Sequence, residues 1–69
     1  MFSSAMGWRL RSSGDYYEIV EVDTSIALNV RFIRWDRAEQ VRQILEKNEL
    51  DCDAAQSVAL ARMRQAGQP

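Results

Sequence analysis

A chain of 69 residues has room for one hydrophobic core, and a domain of that size hides only about 60% of the surface its unfolded form exposes. Hydrophobic residues make up 46% and charged residues 28%, the composition of a folding chain and not of a disordered one. Nine basic and ten acidic side chains leave a net charge of -1, which excludes a global field that would draw the protein to nucleic acid or to anionic lipid.

In chain order, residues 1–7 carry small side chains with two isolated anchors, Phe2 and Met6, and are expected to be frayed, as are 67–69. The stretch WRLRSS from Trp8 alternates apolar and polar residues and predicts a short strand with Trp8 and Leu10 on one side. SSGD at 12–15 supplies a turn, because Gly14 accepts positive φ and Asp15 can satisfy local amides. The aromatic and β-branched run YYEIVEV at 16–22 predicts a second strand, ended by DTS at 23–25. In the third run, 26–35, Ile26, Leu28, Val30 and Phe32 recur with period two and predict a third strand. Short connections favour an antiparallel meander.

At Asp36 the period changes. Asp36 and Glu39 have capping-box spacing, and Ala38, Val41, Ile44, Leu45 and Asn48 form the apolar stripe of a helix of about three turns. Leu50 is placed to plug the core, and Asp51 or Asp53 to cap a second helix, with Gln56 three residues after Asp53. Ala55, Val58, Ala59, Arg62, Met63 and Ala66 define the stripe of that helix, and Gly67 its stop. The expected fold is a single α+β domain over 1–69: a three-stranded antiparallel meander followed by two helices packed on one sheet face (β-β-β-α-α).

The chemistry of the chain is defined by what it lacks. Histidine is absent, which removes the usual proton shuttle near neutral pH and the commonest metal ligand. No CxxC, glycine-rich phosphate loop or nucleophile elbow occurs, and the single cysteine, Cys52, cannot form an internal disulfide. Glu18 and Glu21 differ by an odd number along a strand and should face opposite ways, while capping accounts for Asp51 and Asp53. The expectation is a protein that is not an enzyme, with no catalytic, cofactor or metal residues. The first residues lack the basic start and apolar stretch of a signal peptide, and no apolar run approaches the ~20 residues that span a bilayer, so a cytoplasmic protein without a membrane partner is expected.

The face of the sheet away from the helices is expected to expose Ile33 and Trp35, with Tyr17 and Ile19 as neighbours. Arg31, Arg34, Arg37 and Arg42 crowd the third run and first helix, whereas 15–23 carries Asp15, Glu18, Glu21 and Asp23 without a basic residue. Tyrosine, tryptophan and arginine anchor protein interfaces more than other side chains. Trp35, Ile33, Tyr17, Ile19, Arg31 and Arg34 are therefore the expected partner-binding residues of a protein-interaction or regulatory module. The same features would serve a homo-oligomeric structural or accessory subunit, whose partner is a second copy of the chain.

The order of elements over 27–66, one strand and two helices, resembles that of ribbon-helix-helix repressors and antitoxins. That resemblance implies a nucleic-acid-binding alternative in which Asn29 and Arg31 read bases and amides near Asp53 meet phosphate. The sequence departs from the family pattern at Asp51 and Asp53, which place negative charge where phosphate would sit, and in the two runs that precede residue 26.

Overall fold

The computed structural model describes residues 7–67. The anchors expected at Phe2 and Met6, the fraying expected at 1–6 and 68–69, and the side chain of Ala66 lie outside the described residues. Two strands, β1 (Trp8–Ser13) and β2 (Tyr16–Glu21), are followed by two helices, α1 (Trp35–Asn48) and α2 (Cys52–Gly67).

The hairpin follows directly from its turn. Ser13 pairs with Tyr16, so Gly14 and Asp15 are the two loop residues, and Gly14 takes φ 66, a left-handed value that a Cβ would disfavour. Pairing runs on past the strand end, where the Val22 amide donates to the Gly7 carbonyl at 3.0 Å. Gly7 is thus docked rather than frayed. On one face, Trp8, Leu10, Tyr17, Ile19 and Glu21 point at the helices; Trp8, Ile19 and Glu21 are buried, Leu10 and Tyr17 half-buried. On the other, Arg11 faces Glu18 directly across the ladder and forms an ion pair with it at 2.7 Å.

The expected three-stranded meander is not what forms. Among the described residues the sheet has two strands, and the third run meets β2 through isolated antiparallel bridges at its ends, Val20 to Ala27 and Tyr17 to Phe32. Between those bridges β2 advances three residues while the third run advances five. Two residues are therefore in excess, and the middle of the run bows away from the ladder in the manner of a long bulge. The released backbone of Asn29 is satisfied from α2: its amide donates to Gln56 Oε1 at 2.8 Å, and Gln56 Nε2 faces its carbonyl at 3.5 Å. Leu28, Val30 and Phe32 still point into the core, but Ile26, expected in the same row, is 67% exposed just beyond the turn where Ser25 takes φ 61. That turn is organised by buried Glu21, whose Oε1 accepts the Thr24 amide at 2.7 Å and the Thr24 hydroxyl at 2.9 Å.

Helix α1 begins at Trp35, one residue before Asp36, and the capping box does not form. The N-cap is Arg34, in extended conformation and without a side-chain cap bond. Asp36 accepts the Arg37 amide at 3.0 Å, and Glu39 is engaged by Arg42 and Gln43 instead of the helix start. Ala38, Val41 and Leu45 form the buried stripe, Ile44 is half-buried, and Asn48 is exposed, its amide donating to the Ile44 carbonyl. Glu49 in the left-handed region ends the helix. Asp51 caps α2 by accepting the Ala54 amide at 2.8 Å. Gln56, expected in a capping arrangement with Asp53, holds Asn29 instead.

Ala38, Ala55 and Ala59 are all fully buried, and their small side chains let the helices pack closely beside Trp8, Ile19, Leu28, Val30, Phe32, Val41 and Leu45. Leu50 packs against this core as expected, whereas Arg62 is exposed. Each large aliphatic buried here contributes about 1.5–3 kcal/mol of transfer free energy. Arg42 ties the helical layer to the sheet: its guanidinium reaches Glu39 at 2.6 and 2.8 Å, Glu46 at 2.7 Å and the Trp8 carbonyl at 3.2 Å.

Candidate interaction surface

Among the described residues the exposed large hydrophobic side chains are Ile26 and Ile33 of the third run, Trp35 at the start of α1, and Val22 just after β2. Phe32 is the fixed point. Its amide donates to the Tyr17 carbonyl at 2.9 Å, its carbonyl accepts the Tyr17 amide at 2.6 Å, and the residue is 3% exposed. Alternation about this anchor turns Arg31 and Ile33 outward. Ile33 is 75% exposed and Trp35, in the first turn of α1, is 54% exposed.

The six residues expected to form one binding surface do not all meet. Ile33, Trp35, Arg31 and Arg34 lie together on the arm 31–35 and are exposed. Tyr17 is half-buried and packs against the core. Ile19 is fully buried among the core residues, because β2 turns Tyr17 and Ile19 toward the helices and not away from them. The expected sheet-face patch is accordingly displaced to the junction between the third run and α1.

Within the arm the charges are partly committed. Arg34 makes a forked contact with Asp36, at 3.1 Å from Nε and 3.2 Å from an Nη. This hydrogen bonding lowers the Asp36 carboxyl from its ordinary value and raises the Arg34 guanidinium. The Arg31 guanidinium lies over the Tyr16 ring, 4.6 Å from its centre. Arg42, which the sequence groups with these arginines, belongs to the α1–β1 tie; the Glu39 carboxylate bonded to it is pulled down to about 2.

A cleft of about 630 Å³ opens beside the arm, lined by Arg31, Phe32, Ile33, Arg34, Asp36, Arg37 and Gln40, with Met63 of α2 opposite. A smaller depression of about 130 Å³ shares Phe32, Arg37 and Gln40 with it and extends along α1 to Val41 and Ile44 and across to Arg62 and Gln65. Sequence reasoning did not find Gln40, Met63 or Arg62 as members of one surface. Met63 and Arg62 were readable as part of a helix stripe, but no local pattern says that the end of α2 crosses beside residues 31–34.

Among the described residues no cluster of acids and cysteine is arranged to hold a metal ion, and no helix is long and apolar enough to cross a membrane. The Cys52 thiol is raised above its usual range, first by burial and then by the negative charges of Glu21, Asp51 and Asp53, which holds it in the unreactive form. Asn29, the base reader that the ribbon-helix-helix resemblance implies, is exposed, and its backbone is held by Gln56. No protein-family model, curated protein or solved structure matches the chain.

Proposed function

We propose that this chain is a protein-interaction or regulatory module acting in the cytoplasm, and that it binds another protein through the arm 31–35. The supporting observation is the adjoining exposure of Ile33 and Trp35, 75% and 54%, beside Arg31 and Arg34. Exposed apolar side chains cost solubility unless something covers them, and tryptophan and arginine are the residues whose truncation most often weakens protein interfaces. Trp35 and Ile33 act as the apolar anchors, and the arginines direct hydrogen bonds to carboxylates or carbonyls of the partner.

The test is photo-crosslinking in cells, with p-benzoylphenylalanine replacing Trp35 and, separately, Asp15 at the exposed tip of the hairpin. A discrete protein adduct at position 35 that is absent at position 15 is expected. An adduct of twice the chain mass would identify the partner as a second copy. Equal labelling at the two positions, or none at 35, would refute the assignment of the arm.

A further inference from the structure

The cleft beside the arm has a chemistry of its own, and it narrows the kind of partner. Among the described residues, the exposed and half-buried ion pairs engage Arg11, Arg34 and Arg42, but neither Arg37 nor Arg62 has an acidic partner. The guanidinium of Arg31 is occupied on its face by Tyr16, a contact that leaves edge N–H donors for other acceptors. Asp36 is the acid in the cleft wall, and Arg34 already holds it in a forked pair. The uncommitted charge along the cleft and its extension is therefore positive. The apolar side chains beside these cations are exposed Ile33 and half-buried Met63, with Phe32 almost wholly buried behind them.

We infer that this cleft receives an acidic peptide segment of the partner, with one apolar side chain seated against Ile33 and Met63 and flanking carboxylates received by Arg31, Arg37 and Arg62. The inference rests on the interaction reading above and gives it a chemical class. The volume of about 630 Å³ matches a few side chains rather than a folded surface. Guanidinium groups in a fork geometry suit carboxylates, and methionine adapts to aliphatic or aromatic side chains of differing shape. A nucleic-acid strand fits less well. Phe32 is only 3% exposed and offers no stacking face, Asp36 stands in the wall, and the chain carries a net charge of -1.

The experiment is selection of a random peptide library on the immobilised chain, followed by fluorescence anisotropy with the selected peptides and with labelled oligothymidylate. The expected result is enrichment of peptides in which Asp or Glu flank Leu, Met or Phe. Their affinity should fall about tenfold or more in Arg37→Glu and in Arg62→Glu, and about tenfold in high salt, as exposed charge pairs are screened. Arg9→Glu, at an exposed arginine outside the cleft, should leave affinity unchanged, and thermal melts should show all three variants folded. Selected peptides without acidic residues, or no enrichment at all, would overturn the inference. So would acidic peptides indifferent to Arg37→Glu and Arg62→Glu. If such peptides lose binding in Trp35→Ala, the arm remains the interface and only the cleft fails; if they do not, both fail. Tighter binding of oligothymidylate that is abolished by Arg37→Glu would overturn the inference in favour of nucleic acid.

Discussion

Replacing Arg42 with Met should destabilise the protein more than any other substitution of a partly exposed charged residue, because this guanidinium joins α1 to β1 as well as to its own helix. The side chain is 22% exposed and engages Glu39, Glu46 and the Trp8 carbonyl. Partly exposed ion pairs contribute about 0.5 kcal/mol each, and the hydrogen bond to the Trp8 carbonyl adds about 1 kcal/mol. The loss is therefore about 2 kcal/mol, which in a domain this small lowers Tm by about 8–16 °C. Methionine keeps the length of the stem, so the loss reports the charged head and not a cavity. The effect is pH-dependent. Glu39 has its carboxyl depressed from 4.5 to about 2 in the folded protein, chiefly by the hydrogen bond from Arg42. Its contribution is complete above the unfolded value near 4.5 and disappears as pH falls through about 2. Thermal melts followed by circular dichroism between neutral pH and pH about 2 should show the gap between the wild type and Arg42→Met narrowing toward the acid end without closing, because the hydrogen bond to the Trp8 carbonyl does not titrate. A neutral-pH difference of less than about 2 °C, or one that closes completely in acid, would refute the assignment of Arg42 as the tie between the layers; one that does not shrink at all would refute the share given to Glu39.

The remaining predictions concern α2. Asp51→Ala removes the acceptor for the Ala54 amide and should cost about 1 kcal/mol in urea unfolding, with Asp51→Asn close to wild type. Asp53→Ala should cost less than Asp51→Ala, and the reverse order would mean that α2 is capped from Asp53. Cys52, raised by burial and by neighbouring carboxylates, should react with iodoacetamide more slowly in the folded protein than after unfolding in urea; equal rates would show the thiol to be as free as in an open chain.

The hairpin was legible because its determinants are local. Trp8 and Leu10 alternate with arginines, and Gly14 stands where the turn needs positive φ. The buried stripe of α1 was legible through Ala38, Val41 and Leu45. The third run was not, because period two reports which face a side chain takes and says nothing about hydrogen bonding. An excess of two residues preserves that alternation, so Leu28, Val30 and Phe32 point inward whether or not a ladder joins them to β2. Asn29 was the available signal, a poor strand former in the middle of an apolar run. Its partner Gln56, distant in sequence, could not be inferred from spacing. The inward turn of Ile19 is hidden in the sequence for a related reason: in YYEIVEV both sets of alternate positions contain apolar residues, and β2 buries Val20 on one face as fully as Ile19 on the other.

The hold of Gln56 on Asn29 also sets when the bowed segment of the third run can become fixed. The contact spans 27 residues, and α2 is last of the four elements in chain order. As the polypeptide is synthesised, the hairpin and α1 emerge before any group exists that can secure the bowed backbone at Asn29. Arg31, Ile33 and Trp35 are held by Tyr16, by the Tyr17–Phe32 bridge and by α1, so the docking of α2 secures the bow at Asn29 while the arm keeps its own anchors.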